Sequence, residues 1–548
     1  MVGYGGSLSG EHGDGQARAE LLPKMYGPEL IQAFRAFKTI WDPDGKMNPG
    51  KVVDAYRLDE NLRLGSAYNP AHLETHFKFP DDEGSFAATA LRCVGVGKCR
   101  RMDGGTMCPS YMVTREEEHS TRGRARLLFE MLQGQGDPSR SPLQDGWRNE
   151  HVKEALDLCL ACKGCKGDCP VNVDMATYKA EFLSHYYQGR LRPMTAYTMG
   201  LIYWWARLAC RIPAVANFLT QAPVLSDIAK AVIGVAPQRR LPVFASLPFK
   251  EWFRQRGPRN ADAPRVILWP DTFNNYLHPE PLQAAVEVLE AAGYQVIVPE
   301  QSLCCGRPLY DHGMLETAER LLRHILKTLE PEIIAGTPIV GLEPSCVAVF
   351  RDELTNLFPH DEHAKRLKKQ AFVLSEFLER KAENYQLPQL QRKAVVHMHC
   401  HHKTIMRTAP EEAVLKKLGL DYTVLDSGCC GMAGAFGFEK DHYDVSIACG
   451  ERVLLPTVRN ADRDTLIIAD GFSCREQIAQ TTNRRALHLA QVIQLAMHQD
   501  EKGVTKDYPE IRYLQPSRVG MALVGSIGLM VLGAILWIWG KKKAKSGP

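Results

Sequence analysis

From Arg265 onward, short apolar runs alternate with amphipathic helical stretches: VILW, PEPLQAAVEVLEAAG, then YQVIVPE, closing on CCG at Cys304. The same order returns as AVVHMHC, EEAVLKKLG, DYTVLD, CCG at Cys429, a helix and TLIIAD, an internal repeat with a period of about 125 residues. Short apolar runs bounded by turn residues predict buried strands, so residues 261–385 and 390–500 read as two α/β repeats. Earlier segments are helical or irregular. Residues 1–56 open on a glycine-rich loop, run through a helical stretch from Pro28 to Ile40 and end on DPDGKMNPGK. That is too little for a domain, and it reads as the tail of a larger one. A linker, 57–89, leads to residues 90–185, where RGRARLLFEMLQ and EHVKEALDLCL predict helices. In 186–260, Arg207 and Arg211 interrupt LIYWWARLACRIPAVANFL, which predicts core or interfacial connector helices and no span. After a second linker, 501–518, residues 519–540 run without a charge, carry Trp537 and Trp539 and precede KKKAK, predicting a C-terminal transmembrane helix.

A chain of 548 residues exceeds what one core supports and calls for roughly three to four units. Its 67 basic and 63 acidic residues nearly cancel, which argues neither for a nucleic-acid partner nor for an acidic substrate, and no nucleic acid is expected. The cysteines, 16 in all, change the picture more. They group as CxxCxxCxxxCP and as two CCG doublets, a pattern that suits reduced, metal-binding thiolates better than scattered disulfides. The opening MVGYGGSLSGEHGDG has neither the basic start nor the apolar segment of a signal peptide. The expected location is therefore the cytoplasmic face of a membrane, with the terminal helix as the lipid anchor.

Residues 159–170, CLACKGCKGDCP, carry ferredoxin spacing, in which three cysteines wrap one cubane and the fourth, before proline, reaches a neighbouring cluster. Cys159, Cys162 and Cys165 are thus expected to join Cys108, which precedes Pro109, around a 4Fe-4S cluster. The other half-motif, RCVGVGKC, supplies Cys93 and Cys99 but has Val96 at its centre. With Cys169 that site has three thiolates, so a 3Fe-4S cluster is expected, or a 4Fe-4S cluster with a non-protein or unusual fourth ligand. Zinc held by CxxC pairs fits poorly, because seven cysteines at this spacing exceed a tetrahedral need. The Val96 half-motif resembles the iron-sulfur subunit of succinate dehydrogenase, where an apolar residue accompanies a 3Fe-4S centre. Residues 90–185 therefore read as an α-helical, ferredoxin-like two-cluster domain, and the whole as a mixed multidomain chain.

Adjacent cysteines at a strand end present two thiolates to a metal more readily than they bond each other. In the second repeat Cys429 and Cys430 are joined by Cys400 and Cys474; in the first, Cys304, Cys305 and Cys346 have only Asp271 or Thr272 where a fourth thiol would stand. Cys210 and Cys449 read as small buried residues. His397, His399, His401 and His402 are candidate ligands, but alternation along a strand lets at most two converge. The doublets resemble the cysteine-rich domains of heterodisulfide reductase, glycerol-3-phosphate dehydrogenase anchor subunits and glycolate oxidase iron-sulfur subunits, which implies a further cluster in the repeats. Compared with that pattern, Glu343 and Gly471 replace one cysteine of each terminal CxxC.

GGSLSGEHGDG and MNPGKV resemble the C-terminal part of FAD-linked oxidases of the vanillyl-alcohol oxidase type. The resemblance implies that Glu11 ligates a divalent metal, that His12 is the base on a substrate 2-hydroxyl, and that Asn48 lies near the flavin. A base and a hydride acceptor are what 2-hydroxy acid oxidation requires. End to end, the chain resembles the C-terminal half of large fused FAD-linked, iron-sulfur 2-hydroxyacid dehydrogenases. That implies electron transfer from a flavin on a separate FAD-binding domain or subunit, through the clusters, to a membrane quinone or other acceptor. The competing expectation is a non-catalytic subunit serving a separate flavoprotein or heterodisulfide reductase-like partner.

Overall fold

A computed structural model describes residues 1–60, 64, 73–136, 143, 145–499 and 507–513. The chain divides into two compact units, Met1–Ala71 and His72–Pro548. The first is built on helix α1 (Leu22–Trp41), kinked at Gly27 ahead of Pro28.

In the second unit, three helices frame the cysteines of the N-terminal part: α2 (Thr121–Gly136), α3 (Glu150–Asp157) and α4 (Met175–Tyr186). Asn149 and Asp174 cap α3 and α4 by accepting from Val152 N–H and Thr177 N–H, as short polar side chains do at a helix start. The connector forms α5 (Ile202–Ala209), α6 (Pro213–Gln221) and α7 (Pro223–Ile233), with proline opening the last two. These helices are amphipathic, and Trp205, Leu208, Ile212, Val224 and Val232 are exposed.

Both repeats are parallel α/β. In the first, β1 (Arg265–Trp269), β2 (Gln295–Ile297), β3 (Ile339–Gly341) and β4 (Ala371–Val373) lie in the order β2-β1-β3-β4. In the second, β5 (Lys393–Val396), β6 (Asp421–Val424) and β7 (Leu466–Ile468) lie in the order β6-β5-β7. Every pairing is parallel. Helices cover the central strands, which explains why VILW and LII are apolar without alternation. One core runs through both repeats, from Val266 and Leu268 to Val396, Leu466 and Ile468. A second joins the cysteine-bearing helices to the first repeat through Phe77, Tyr178, Tyr310 and Trp269.

One expectation is corrected. Among the described residues no helix is long and apolar enough to cross a membrane. The apolar connector is broken into helices of 8, 9 and 11 residues by Pro213 and Pro223. The segment 519–540 lies outside the described residues, so the terminal transmembrane helix, the lipid anchor and the anchored location built on it have no structural support.

Candidate metal centres

The helical domain brings four of its cysteines together. Cys108 caps the helix Pro109–Thr114, and Cys159 follows α3 directly. Between Cys159 and Cys165 the chain takes left-handed turns at Ala161 (φ 48°) and Lys163 (φ 56°), a conformation costly for residues with a side chain. Gly164 is required by close approach, because a Cβ there would stand 2.6 Å from Thr106 Cγ2. As a result Cys108, Cys159, Cys162 and Cys165 line one cavity with Arg124, Ala161 and Met175. Arg124 is buried; its Nη1 donates to Cys108 Sγ at 3.3 Å, Nη2 to Ser110 Oγ at 2.9 Å and Nε to Ala155 O at 2.7 Å. Met175 N–H donates to Cys165 Sγ at 3.4 Å. Burial pushes the Cys162 and Cys165 thiols well above their ordinary range, so without a metal they hold their protons. Four thiols around one cavity, with a charged donor on one sulfur, are the donor chemistry of a 4Fe-4S cluster.

Lys163, inside the motif, is fully buried. Its Nζ meets Asp174 at 3.0 Å, Asp352 at 2.6 Å and Glu353 at 3.2 Å, and Lys166 adds pairs to Asp174 and Asp352. Asp352 and Glu353 belong to the first repeat, so the motif and that repeat are bolted together by charge.

Cys99 is buried, while Cys93 and Cys169 lie partly buried at the edge of the same core. Arg122 N–H donates to Cys99 Sγ at 3.3 Å. Burial raises the Cys99 thiol, and nearby Cys108 and Cys93 add to the effect. Val96 is 62% exposed on the intervening loop.

In the second repeat Cys400, Cys429, Cys430 and Cys474 are all buried. A hydrogen bond from Cys429 outweighs burial and, with His399 nearby, pulls the Cys400 thiol down to about 7. Hydrogen bonds from Cys429 and Cys474 hold Cys430 well below its ordinary range. His397 Nδ1 lies 2.7 Å from Ser427 Oγ. The ligand atoms of His397, Cys430 and Cys474 all fall within 4.8 Å of one another. The doublet glycine has its reason: Gly431 sits at φ 90°, and a Cβ there would be 2.0 Å from Ser446 O.

The first repeat is poorer in donors. Cys305 Sγ lies 2.9 Å from Cys346 Sγ, and Thr272 Oγ1 donates to Cys304 Sγ at 3.3 Å. Asp271 is spent on capping: Oδ1 accepts from Phe273 and Asn274 N–H, and Oδ2 from Asn274 Nδ2. Of the two residues standing for a fourth thiol, Thr272 touches a cysteine.

The two positions that lack a CxxC cysteine interlock. Glu343 Oε1 accepts from Ser345 N–H, while Oε2 accepts at 2.7 Å from Phe472 N–H, which opens helix α8 (Phe472–Thr481) of the other repeat. At Gly471 the space of a side chain is filled by His399, whose Cδ2 would stand 2.3 Å from a Cβ. His401 Nε2 pairs with Ala161 O at 3.0 Å, and His402 Nδ1 faces Glu411 at 3.2 Å. Cys449 is buried with its sulfur 3.8 Å from Pro109 O, and Cys210 Sγ lies 3.5 Å from Tyr276 O.

Cys162 of the helical domain and Cys400 and Cys429 of the second repeat share a small buried cluster with Leu160 and Phe436. Cys162 and Cys400 also line a mainly apolar cavity of about 210 Å³, whose walls include Met199, Phe244, Phe472, Arg307, His399 and His401. Among the described residues His401 Nδ1 has no hydrogen-bond partner.

In the N-terminal unit Glu11 and His12 are exposed neighbours on a loop closed by Ser9, whose Oγ accepts from His12 N–H at 3.1 Å. Asn48 is exposed on a separate turn at φ 48°.

Sequence reasoning missed Arg124, Lys163 and Ser427. Arg124 had a signal, a basic residue on the helix face that Ala125 and Leu128 bury; Ser427 had none.

Comparison with known proteins agrees with these elements. Residues 1–52 match the FAD linked oxidase C-terminal domain, 89–173 the 4Fe-4S dicluster domain, and 272–351 and 394–479 the cysteine-rich domain. Iron-sulfur clusters and FAD are the cofactors of these domains, and their order is that of a fused FAD-linked, iron-sulfur 2-hydroxyacid dehydrogenase. Within that class the chain is 27% identical, over 89% of its length, to 51% of a D-2-hydroxyglutarate dehydrogenase from Pseudomonas putida. An Escherichia coli D-2-hydroxyglutarate dehydrogenase is 26% identical over the same shares. Half of the chain, 50%, is 28% identical to 70% of one subunit of the E. coli anaerobic glycerol-3-phosphate dehydrogenase. The chain spans about half the length of the D-2-hydroxyglutarate dehydrogenases it matches.

Proposed function

We propose that the chain carries electrons from a flavin that oxidises a D-2-hydroxy acid, through its iron-sulfur centres, to a quinone or other acceptor. The observation that carries this reading is the meeting of Cys162 and Cys400 in one buried cluster, which supports electron passage between the centres these two residues would help to hold. Cys108, Cys159, Cys162 and Cys165 hold the 4Fe-4S cluster; Cys93, Cys99 and Cys169 hold its three-thiolate neighbour; Cys400, Cys429, Cys430 and Cys474 hold a third. When bound, such clusters pass single electrons between donor and acceptor. Arg124 steadies the charge on Cys108, Lys163 fixes the loop, and the apolar walls exclude water. The cavity beside Cys162 and Cys400 receives the acceptor, where His401 Nδ1 offers the hydrogen-bonding group.

The N-terminal unit supplies Glu11, His12 and Asn48 to a flavin site completed by another domain or subunit. Along α1 it exposes Leu30, Phe37, Ile40 and Trp41, an apolar face of the kind a flavin domain would cover. The likeness to one subunit of a glycerol-3-phosphate dehydrogenase supports the alternative that the donor is another chain.

The test is anaerobic reconstitution of the full chain, reduction, EPR, and reoxidation by a short-chain quinone. A 4Fe-4S signal that decays on adding quinone is expected. A reconstituted chain without any cluster signal would overturn the proposal.

A further inference from the structure

We propose that His397 is a metal ligand of the second repeat, binding through Nε2 to the centre that Cys430 and Cys474 hold. The inference deepens the iron-sulfur reading given above and rests on it for the identity of the metal.

Position comes first. His397 immediately follows β5, which ends at Val396, and it is 2% exposed; Cys430 and Cys474 are each 3% exposed or less. The three ligand atoms lie within 4.8 Å of one another. Ligands at about 2.0–2.3 Å from one tetrahedral ion are spaced within that limit. The three side chains therefore converge closely enough to serve one metal centre.

The imidazole is also oriented for the task. With Nδ1–H donating to Ser427 Oγ at 2.7 Å, the Nε2 lone pair is left for a metal. Metal-bound histidines are held in this way, one nitrogen tied to a neighbouring group and the other on the ion. Among the described residues buried His397 Nε2 meets no hydrogen-bond partner of good geometry, and the thiol paired with the imidazole is that of Cys430, its co-ligand in the proposed site.

The donor count decides between one ion and a cluster. Cys400 and Cys429 adjoin this group, making five donors in all, one more than a tetrahedral ion accepts. A centre with several irons uses them all. The other histidines of the segment are engaged elsewhere: His399 fills the space beside Gly471, His401 meets Ala161 and His402 faces Glu411. An imidazole in place of a thiolate removes negative charge from the centre, which raises its potential relative to an all-cysteine site.

The experiment is pulsed EPR on the reduced, reconstituted full chain, prepared with natural and with ¹⁵N-labelled histidine. A strong nitrogen coupling of bound imidazole, changed by the label, is expected. His397→Cys should keep the iron content, erase the coupling and lower the potential. His397→Gln should erase it as well, while His399→Gln leaves it in place. The inference is overturned by a filled second-repeat site without imidazole coupling, by coupling that survives in both His397 variants, or by loss in His399→Gln instead. An empty second repeat beside a filled Cys108–Cys165 site would also overturn it and leave the relay standing. Absence of signal from every site would instead count against the relay.

Discussion

Arg124 Nη1 donates to Cys108 Sγ at 3.3 Å, so a fully buried guanidinium rests on a thiol of the four-cysteine cavity. Its other nitrogens are held by Ser110 and Ala155, which leaves it no freedom to turn toward solvent. A cation there stabilises the more negative, reduced state of a cluster. Arg124→Gln is expected to lower the potential of that cluster and to weaken its retention by about 1.5–3 kcal/mol, the range for hydrogen bonds to charged groups. Redox titration followed by EPR checks this, and an unchanged potential would exclude the role.

Lys163 stands among three carboxylates, and two of them come from the first repeat. Lys163→Met removes the central charge, leaving Asp174 and Asp352 to Lys166 and Glu353 to Arg307. Breaking buried pairs from one side costs roughly 3–5 kcal/mol. Chemical denaturation of the variant should show that loss. Adding Asp352→Asn should recover part of it.

His442 bridges Asp157 of α3 at 2.8 Å and Glu439 at 2.6 Å. Burial alone would lower its pKa, but the two carboxylates outweigh it and raise the value to about 9 from 6.5. The contribution is complete below 6.5 and is lost as pH climbs through about 9, amounting to about 3 kcal/mol at most. Asp157 behaves oppositely: burial opposes but His442 prevails, bringing it to about 2, so its share is present above 3.8 and lost as acid approaches 2. Thermal melts should therefore fall between neutral pH and pH 9.5 or so in the wild type and fall less in His442→Gln.

Val96 occupies the central place of the three-thiolate half-motif on an exposed loop, so a cysteine there meets little steric resistance. Val96→Cys should convert that centre to a complete 4Fe-4S site, with about one more iron per chain and a lower potential. Iron analysis with EPR of the oxidised protein reads the change. An unaltered spectrum would mean that residue 96 does not face the cluster.

The α/β repeats are legible in the sequence because buried parallel strands write themselves as apolar runs, as VILW and LII do. The strand at Ala371–Val373 is not, since it runs straight out of one helix and into the next with no turn residue to mark it. Cysteine grouping is readable because ferredoxin ligation is local in sequence on one side of the cluster. The choice between Asp271 and Thr272 is not, because adjacent residues at a strand end differ in direction and only the cap made by Asp271 separates them. The terminal hydrophobic run shows the limit of composition, which points to an anchor that no described helix supports. Lys163 is hidden for another reason: two of its three partners lie in a different domain, and no local spacing announces them.

The contact between Glu343 and Phe472 has a consequence for how the protein is made. Glu343 Oε1 stays with Ser345 inside the first repeat, but Oε2 takes its donor from the second. A first repeat made alone would leave that oxygen without its donor, and a second repeat made alone would begin α8 on an amide without its acceptor. The two repeats complete each other's hydrogen bonding.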